Sequence, residues 1–192
     1  MLNPLRPAIV MAVATTILTG LAYPLAMTGI AQGLLPEKAN GSLIVLGDIV
    51  VGSSLIAQDF TGRGYLHPRP SAASYAAMPS GASNLGPTSA ALRDEVAARR
   101  TAWEEANGSP APVDALTASG SGLDPHISPE NARLQAARIA EARGVPPAEV
   151  TRVIAAHTDG PWLGLYGQPR VNVLEVNLAL DAALPLPPPA GN

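Results

Sequence analysis

"PAIVMAVATTILTGLAYPLAMTGIAQGLLP", Pro7 to Pro36, contains no Asp, Glu, Lys, Arg or His. A helix of this length spans about 45 Å, more than a hydrocarbon core needs. Asn3 followed by Pro4 reads as its start. Pro24 is expected to kink the helix or mark its fraying end. The apolar core of a cleaved signal peptide is usually about 7–15 residues. This run is about twice that and offers only poor A-x-A sites, so an uncleaved anchor is expected over residues 1–36. Arg6 and the amino terminus precede the span, while Glu37 and Lys38 cancel after it. Positive-inside reasoning then puts the N-terminus in the cytoplasm and the rest of the chain outside. Ala8, Ala12, Thr16 and Gly20 are spaced by four and line one helix face, where small side chains allow another membrane helix to approach. Gly29 and Gly33 repeat the spacing, although an Ala-rich chain also produces such stripes without selection.

Composition constrains the chain beyond the span. Charged residues make up 14% of the 192 residues, the net charge is −3, and Lys38 is the only lysine. That balance offers no basic field for nucleic acid, and scarce aromatics give little base stacking. With no cysteine, disulfides, zinc thiolates and cysteine nucleophiles are excluded. Gly and Pro make up about a fifth of the chain, which predicts many turns and long ordered loops.

Past the span, "NGSLIVLGDIVVGSSLIAQDF" (Asn40–Phe60) reads as a hairpin about Gly47-Asp48. Tyr65 to Ser89 is too rich in Pro, Gly, Ser and Asn for a regular element, and Tyr65 and Tyr75 argue for an ordered surface. Ser89 to Ala106 is the clearest helix, with Leu92, Val96 and Trp103 on one face and Asn107-Gly108 as its stop. Residues 108–116 read as a connector. Ser128 is a good N-cap, Pro129 fits N1 and Glu130 the first turn, so a helix runs from there to Arg143 with Gly144 as its end. Another starts near Pro147 and carries Val150, Val153, Ile154 and His157 at helical spacing. "RVNVLEVNLALD" (Arg170–Asp181) reads as a strand passing into a short helix. The fold class is therefore α+β: a single N-terminal transmembrane helix, one mixed α/β extracytoplasmic domain over residues 37–183, and a disordered Pro-rich tail at 184–192.

The chemistry concentrates in "TASGSGLDPHISPEN", Thr117 to Asn131. Ser119, Ser121, Asp124, His126 and Ser128 are the ingredients of a serine hydrolase. Neighbours in one loop point in different directions, however, and no G-x-S-x-G elbow joins a strand to a helix. Asp124 and His126 are two candidate metal ligands without an apparent third, and His67, His126 and His157 form no H-x-x-x-H pair. His157 is expected to be a hydrogen-bonded edge of the core. The glycine-rich "SGSG" and "PSGAS" segments lack the lysine of a phosphate loop. The plainest reading has Gly120 and Gly122 permitting tight turns while Asp124 and Ser128 satisfy backbone donors. His67 and Arg69, flanked by Pro68 and Pro70, suit a protein interface.

"GSSLIAQDF", "YLHPRPSA", "SGASNLGPT", "TASGSGLDPHISP" and "RVNVLEVNLALD" occur in the order seen in the C subunit of the Kdp potassium-transporting P-type ATPase, which this chain resembles over roughly residues 5–182. Ala82 departs where the family often has a second glycine, and Pro68 where it often has glycine. The resemblance implies a non-catalytic accessory subunit in the bacterial inner membrane, needed for assembly of the complex. It implies two partners besides the lipid bilayer: a channel-like potassium-binding subunit and a P-type ATPase subunit. ATP and potassium are then used by the complex. The D-K-T-G phosphorylation motif is absent here. The family is also described as a chaperone that raises the ATP affinity of the ATPase subunit through a serine-glycine motif, which would be Ser80-Gly81-Ala82-Ser83-Asn84. An outward domain argues against direct contact with cytoplasmic ATP. The implied interface loops are His67, Arg69 and Ser71; Ser83, Asn84, Gly86 and Thr88; and Ser119, Gly120, Ser121, Gly122, Asp124, His126 and Ser128. No catalytic residue and no metal ligand is expected. The alternatives are a membrane-anchored periplasmic serine hydrolase using Ser119 or Ser121, and a stand-alone binding module.

Overall fold

The computed structural model describes residues 4–188. The chain forms two compact units, Met1–Ser53 and Ser54–Asn192. The hairpin falls within the first of them.

In the first unit the apolar run is one continuous helix, Leu5–Leu34, with a mean hydropathy of 1.8 and none of its most apolar stretch buried. It is built from α1 (Leu5–Ile17), a π-helical turn (Leu18–Ala22) and α2 (Tyr23–Leu34). Pro24 does not end it. A proline has no N–H to donate and its ring crowds the carbonyl a turn earlier. The wider π turn immediately before Tyr23-Pro24 makes room for both. Within the stripe of small residues, a methyl group added at Gly20 would lie 3.9 Å from Thr16 Cγ2, so these two positions do share a face. Pro4 occupies the N-cap position, and Asn3 lies outside the described residues. A single turn, α3 (Pro36–Ala39), leads into the antiparallel hairpin of β1 (Leu43–Leu46) and β2 (Ile49–Ser53). Leu46 pairs with Ile49 across the expected Gly47-Asp48 turn, where Gly47 takes φ +62°.

The second unit is α+β. Helix α4 (Ala90–Asn107) stops where Gly108 adopts a left-handed conformation at φ +63°. The stretch expected as a plain connector contains a one-turn helix, α5 (Val113–Leu116), whose Ala115 and Leu116 are buried. Three very short strands, β3 (His126–Ile127), β4 (Thr158–Asp159) and β5 (Arg170–Asn172), form an antiparallel sheet in the order β3-β5-β4. Between them run α6 (Pro129–Arg143) and α7 (Pro147–Ala156), and α8 (Val173–Ala183) follows β5 directly. Helix α6 starts as its sequence predicts: Ser128 Oγ accepts from the Asn131 N–H at 3.0 Å.

Alanines explain the core. Ala132, Ala136, Ile139 and Ala140 of α6 are buried, and the small alanine side chains let Val150 and Ile154 of α7 come close. Val173, Val176 and Leu180 of α8 and Val171 of β5 complete the cluster with Leu66, which is 0% exposed. Each large aliphatic side chain so buried contributes about 1.5–3 kcal/mol. His157 is not at the core's edge. It is exposed at the end of α7, where its Nδ1 lies 2.9 Å from the Val153 carbonyl. The chain leaves α8 at Leu184, which is buried, and a methyl group on Gly64 would clash with Leu186. Residues 189–192 of the Pro-rich tail lie outside the described residues.

Candidate functional site

Leu66 is a core residue on an irregular loop, so its backbone polar groups are taken out of water and need partners. The side chain of Asn177 supplies both, accepting from Leu66 N at 2.7 Å and donating to Leu66 O at 3.0 Å. Gln135 does the same for His67, accepting from its N–H at 2.8 Å and donating to its carbonyl at 3.1 Å. Two buried arginines of α6 finish the task. Arg138 donates to the carbonyls of Arg63 and Tyr65, the latter at 3.0 Å, and to Gln135 Oε1 at 2.7 Å. Arg143 donates to the Gly64 carbonyl at 2.8 Å, the Leu180 carbonyl at 3.1 Å and Asp181 at 2.9 Å, and its guanidinium lies 5.2 Å from the centroid of the Tyr65 ring. Burial pulls the Arg138 guanidinium down to about 10, with the Arg63 charge acting in the same direction. These arginines were not among the expected site residues. In the sequence, Arg143 falls on the same face of α6 as its buried alanines, and Arg138 falls on the side that carries the buried Asn131 and Gln135.

That scaffold presents Arg69 and Ser71. Arg69 Nη1 donates to Asp124 Oδ2 at 2.9 Å, and Nη2 reaches the Thr117 carbonyl at 3.3 Å. Ser71 Oγ donates to the Gly122 carbonyl at 2.6 Å while accepting from Ala73 N and Tyr75 N at 3.1 and 3.0 Å. Tyr75 Oη donates to the Arg69 carbonyl at 2.9 Å, and its phenol is pushed up to about 12, mainly by burial and then by the Asp59 charge. Ser119 N–H donates to the Pro70 carbonyl at 3.3 Å. Gly122, at φ +70°, is where the segments meet. A methyl group there would lie 2.8 Å from the Gly81 carbonyl, 3.1 Å from Ala73 and 3.2 Å from Ser71 Oγ. The residues around Ser71, Gly81 and Gly122, taken from loops distant in sequence, thus form one surface.

Asp124 sits at its charged centre. Its carboxyl is held at about 2. The His126 ring is the first cause, followed by the His126 N–H and by Arg69, with burial opposing them. The ring nitrogen is 3.6 Å from Oδ1, too long for a full hydrogen bond, whereas the His126 N–H donates at 3.0 Å and Arg69 at 2.9 Å. The two direct donors therefore hold the carboxylate in place.

The serines do not form a hydrolytic array. Ser119 is buried, with its Oγ 3.5 Å from Asp124 N, and Ser121 Oγ accepts from Leu123 N at 3.1 Å. Gly120 is exposed beside them. Ser128 is bound to the Asp114 carboxylate, its N–H donating at 2.7 Å and its Oγ at 3.2 Å. His67 turns inward: its Nε2 lies 3.0 Å from the Gly62 carbonyl, and burial followed by the Arg138 charge lowers its pKa. Ser83, Asn84, Gly86 and Thr88 form an exposed rim, with Asn84 at φ +54°. Ala8, Ala12, Thr16 and Gly20 belong to the other unit. Among the described residues, no group of three His, Asp or Glu side chains stands close enough to hold a metal ion.

The family model described as "K+-transporting ATPase, c chain" matches residues 5–182. A potassium-transporting ATPase KdpC subunit of Cereibacter sphaeroides is 63% identical over 183 residues, covering 95% of this chain and 99% of the relative. The KdpC subunit of Rhodospirillum rubrum is 58% identical over 191 residues, covering 97% and 99%. That of Koribacter versatilis is 49% identical over 185 residues, covering 95% and 96%.

Proposed function

The chain belongs to the KdpC family, the c chain of the K+-transporting ATPase, and from that premise we propose that it is a non-catalytic accessory subunit whose polar loop surface seats on a partner outside the membrane. Membership makes it a membrane-associated component of the Kdp ATPase complex, with one candidate N-terminal span. The finer reading has the N-terminus in the cytoplasm of an inner membrane and the second unit outside it. The partners are then a channel-like potassium-binding subunit and a P-type ATPase subunit, and ATP is hydrolysed on the latter.

The observation that carries this reading is the convergence at Gly122. Segments distant in sequence are locked together by Ser71 and the Arg69–Asp124 pair, while Tyr75 braces the loop that carries them, with exposed Ser83, Asn84, Gly86 and Thr88 at the rim. A polar surface held this rigidly loses little entropy on docking. Asp124 is neutralised by Arg69 at 2.9 Å, so it serves the surface by holding the two loops in register.

ATP and potassium are used by the complex rather than held by this chain. The depression of about 390 Å³ beside the serine-glycine motif is lined by Ala, Ser, Pro and Gly, among them Ala73, Pro79, Ser80 and Gly81, and by no cation for phosphate. Any rise in the ATP affinity of the ATPase subunit then acts through assembly, not through shared nucleotide contacts.

The test is mild-detergent purification of the tagged chain from potassium-starved cells, followed by an ATPase assay. Co-purified channel-like and P-type chains with potassium-stimulated hydrolysis support the proposal. A chain that purifies alone and reacts with a serine-directed fluorophosphonate refutes it in favour of a hydrolase at Ser119 or Ser121.

A further inference from the structure

The hairpin that follows the apolar helix has no polar face. Consecutive side chains of a strand point to opposite faces. Val45 and Leu46 of β1 are nevertheless 52% and 54% exposed, and their partners in β2, Val50 and Ile49, are 55% and 70% exposed. Aliphatic side chains therefore stand uncovered on both faces of the ribbon. Asp48, in the turn, is the only charged residue between Asn40 and Ser53. A two-stranded ribbon by itself is marginal in water, and among the described residues β1 pairs with β2 alone.

The end of the helix decides where this ribbon lies. Gln32 is in the last turn of α2, and its Nε2 donates to Asn40 Oδ1 at 3.1 Å. The single turn of α3 thus brings the chain back beside the helix it has just left. The Ser42 N–H donates to the Glu37 carbonyl at 2.9 Å, and Ser53 Oγ donates to the Gly41 carbonyl at 2.7 Å, so both ends of the hairpin are tied at that level. The 30 residues of Leu5–Leu34 span about 45 Å, the thickness of a bilayer with its headgroups, whereas its hydrocarbon core is about 30 Å. A helix centred in the bilayer then has Gln32 in the headgroup layer, together with Asn40, Gly41 and Ser53.

We propose that the β1–β2 hairpin is a second membrane contact of this chain, seated at the headgroup–acyl boundary of the leaflet where the helix emerges, and that it fixes the depth of the helix. The occupant is lipid because the hairpin is tied to the helix at headgroup level. A folded partner covers one face of such a ribbon, whereas fluid lipid closes around both. Residues 40–53 also contain no Trp, Tyr, Met or Arg, the types that anchor protein contacts. Asp48 and the outer edge of β1 set the depth. Both need polar partners, which headgroups and their water supply and hydrocarbon does not.

The proposal rests on reading Leu5–Leu34 as a membrane span, and the experiment checks that reading separately. The chain has no cysteine. Leu46→Cys and Gly20→Cys therefore each give one site for an environment-sensitive fluorophore in the full chain, reconstituted into phosphatidylcholine–phosphatidylglycerol vesicles. The quenchers are iodide in the water and lipids carrying a nitroxide at the headgroup or near the acyl end. The Leu46 probe is expected to be quenched mainly by the headgroup nitroxide and weakly by iodide, and the Gly20 probe mainly by the acyl-end nitroxide. A Leu46 probe open to iodide and untouched by either lipid overturns the proposal, while the Gly20 probe still reports the span. A Gly20 probe open to iodide removes the span and the hairpin contact together. Ile49→Asp combined with Val50→Asp is expected to abolish headgroup quenching at Leu46 and to admit iodide. Unchanged quenching in that variant would show that the aliphatic side chains do not hold the hairpin in lipid. In the intact assembly, p-benzoylphenylalanine at Leu46 is expected to give lipid adducts on illumination. An adduct to another protein chain, or no lipid adduct, also overturns the proposal.

Discussion

Arg69 and Asp124 lie 55 positions apart in the chain, yet the guanidinium donates to the carboxylate at 2.9 Å, with both side chains less than a third exposed. This pair joins the "HPRPS" loop to the "SGLDPH" loop. It also makes the surface sensitive to acid.

Asp124 titrates at about 2 in the folded chain against an ordinary 3.8. A depressed carboxylate adds stability above its unfolded pKa and loses it as pH falls through the folded one. The window therefore runs from about pH 4 down to about pH 2, for a contribution of roughly 1–2 kcal/mol. Asp124→Asn should lower the melting temperature at neutral pH, and the gap to wild type should close across that window. Melting curves of both proteins between pH 7 and pH 2 decide it. A gap independent of pH would mean the pair contributes nothing through its charge.

Arg143 has a fully buried side chain whose loss leaves the carbonyls of Gly64 and Leu184 without a donor. Arg143→Met is expected to destabilise the chain by about 3–5 kcal/mol. Arg143→Lys should restore little, because one ammonium group cannot reproduce the forked geometry. Denaturant unfolding of the full-length chain in detergent measures both variants, and full rescue by lysine would contradict the account.

Gly122→Ala should cost about 1–3 kcal/mol, since the new methyl group meets the Gly81 carbonyl at 2.8 Å in a left-handed backbone. The loosened contact should show as faster limited proteolysis between residues 71 and 89. Gly120→Ala is the control, with nothing within 4 Å of its added carbon. Equal protease resistance in the two variants would show that the loops do not depend on this approach.

Ser128→Ala removes the N-cap of α6, where the hydroxyl accepts from Asn131 N at 3.0 Å and donates to Asp114 at 3.2 Å. A loss of about 1–2 kcal/mol is expected. Ser128→Asp retains the cap but faces the Asp114 carboxylate, so it should recover less than Ser128→Thr. Melting temperatures of the three variants in the full chain give the order.

What was legible in the sequence was local. The uncharged run from Pro7 to Pro36 dictated one helix long and apolar enough to span a membrane, because a helix satisfies its own backbone. Ser128-Pro129, Gly108 and Gly144 marked helix ends through backbone conformation and orphaned N–H groups, which need only neighbouring residues. The Gly47-Asp48 hairpin and the passage of "RVN" into α8 were readable for the same reason. Tertiary structure alone decided the rest. Pro24 continues a helix because a π turn precedes it, His157 caps a helix instead of edging the core, and Arg138 and Arg143 go inside because a buried loop needs donors. No local rule reveals that Ser71, Gly81 and Gly122 meet, or that Trp162 is left facing solvent. Those facts depend on which distant surfaces exclude water together, and that is a property of the packed chain rather than of any short stretch of it.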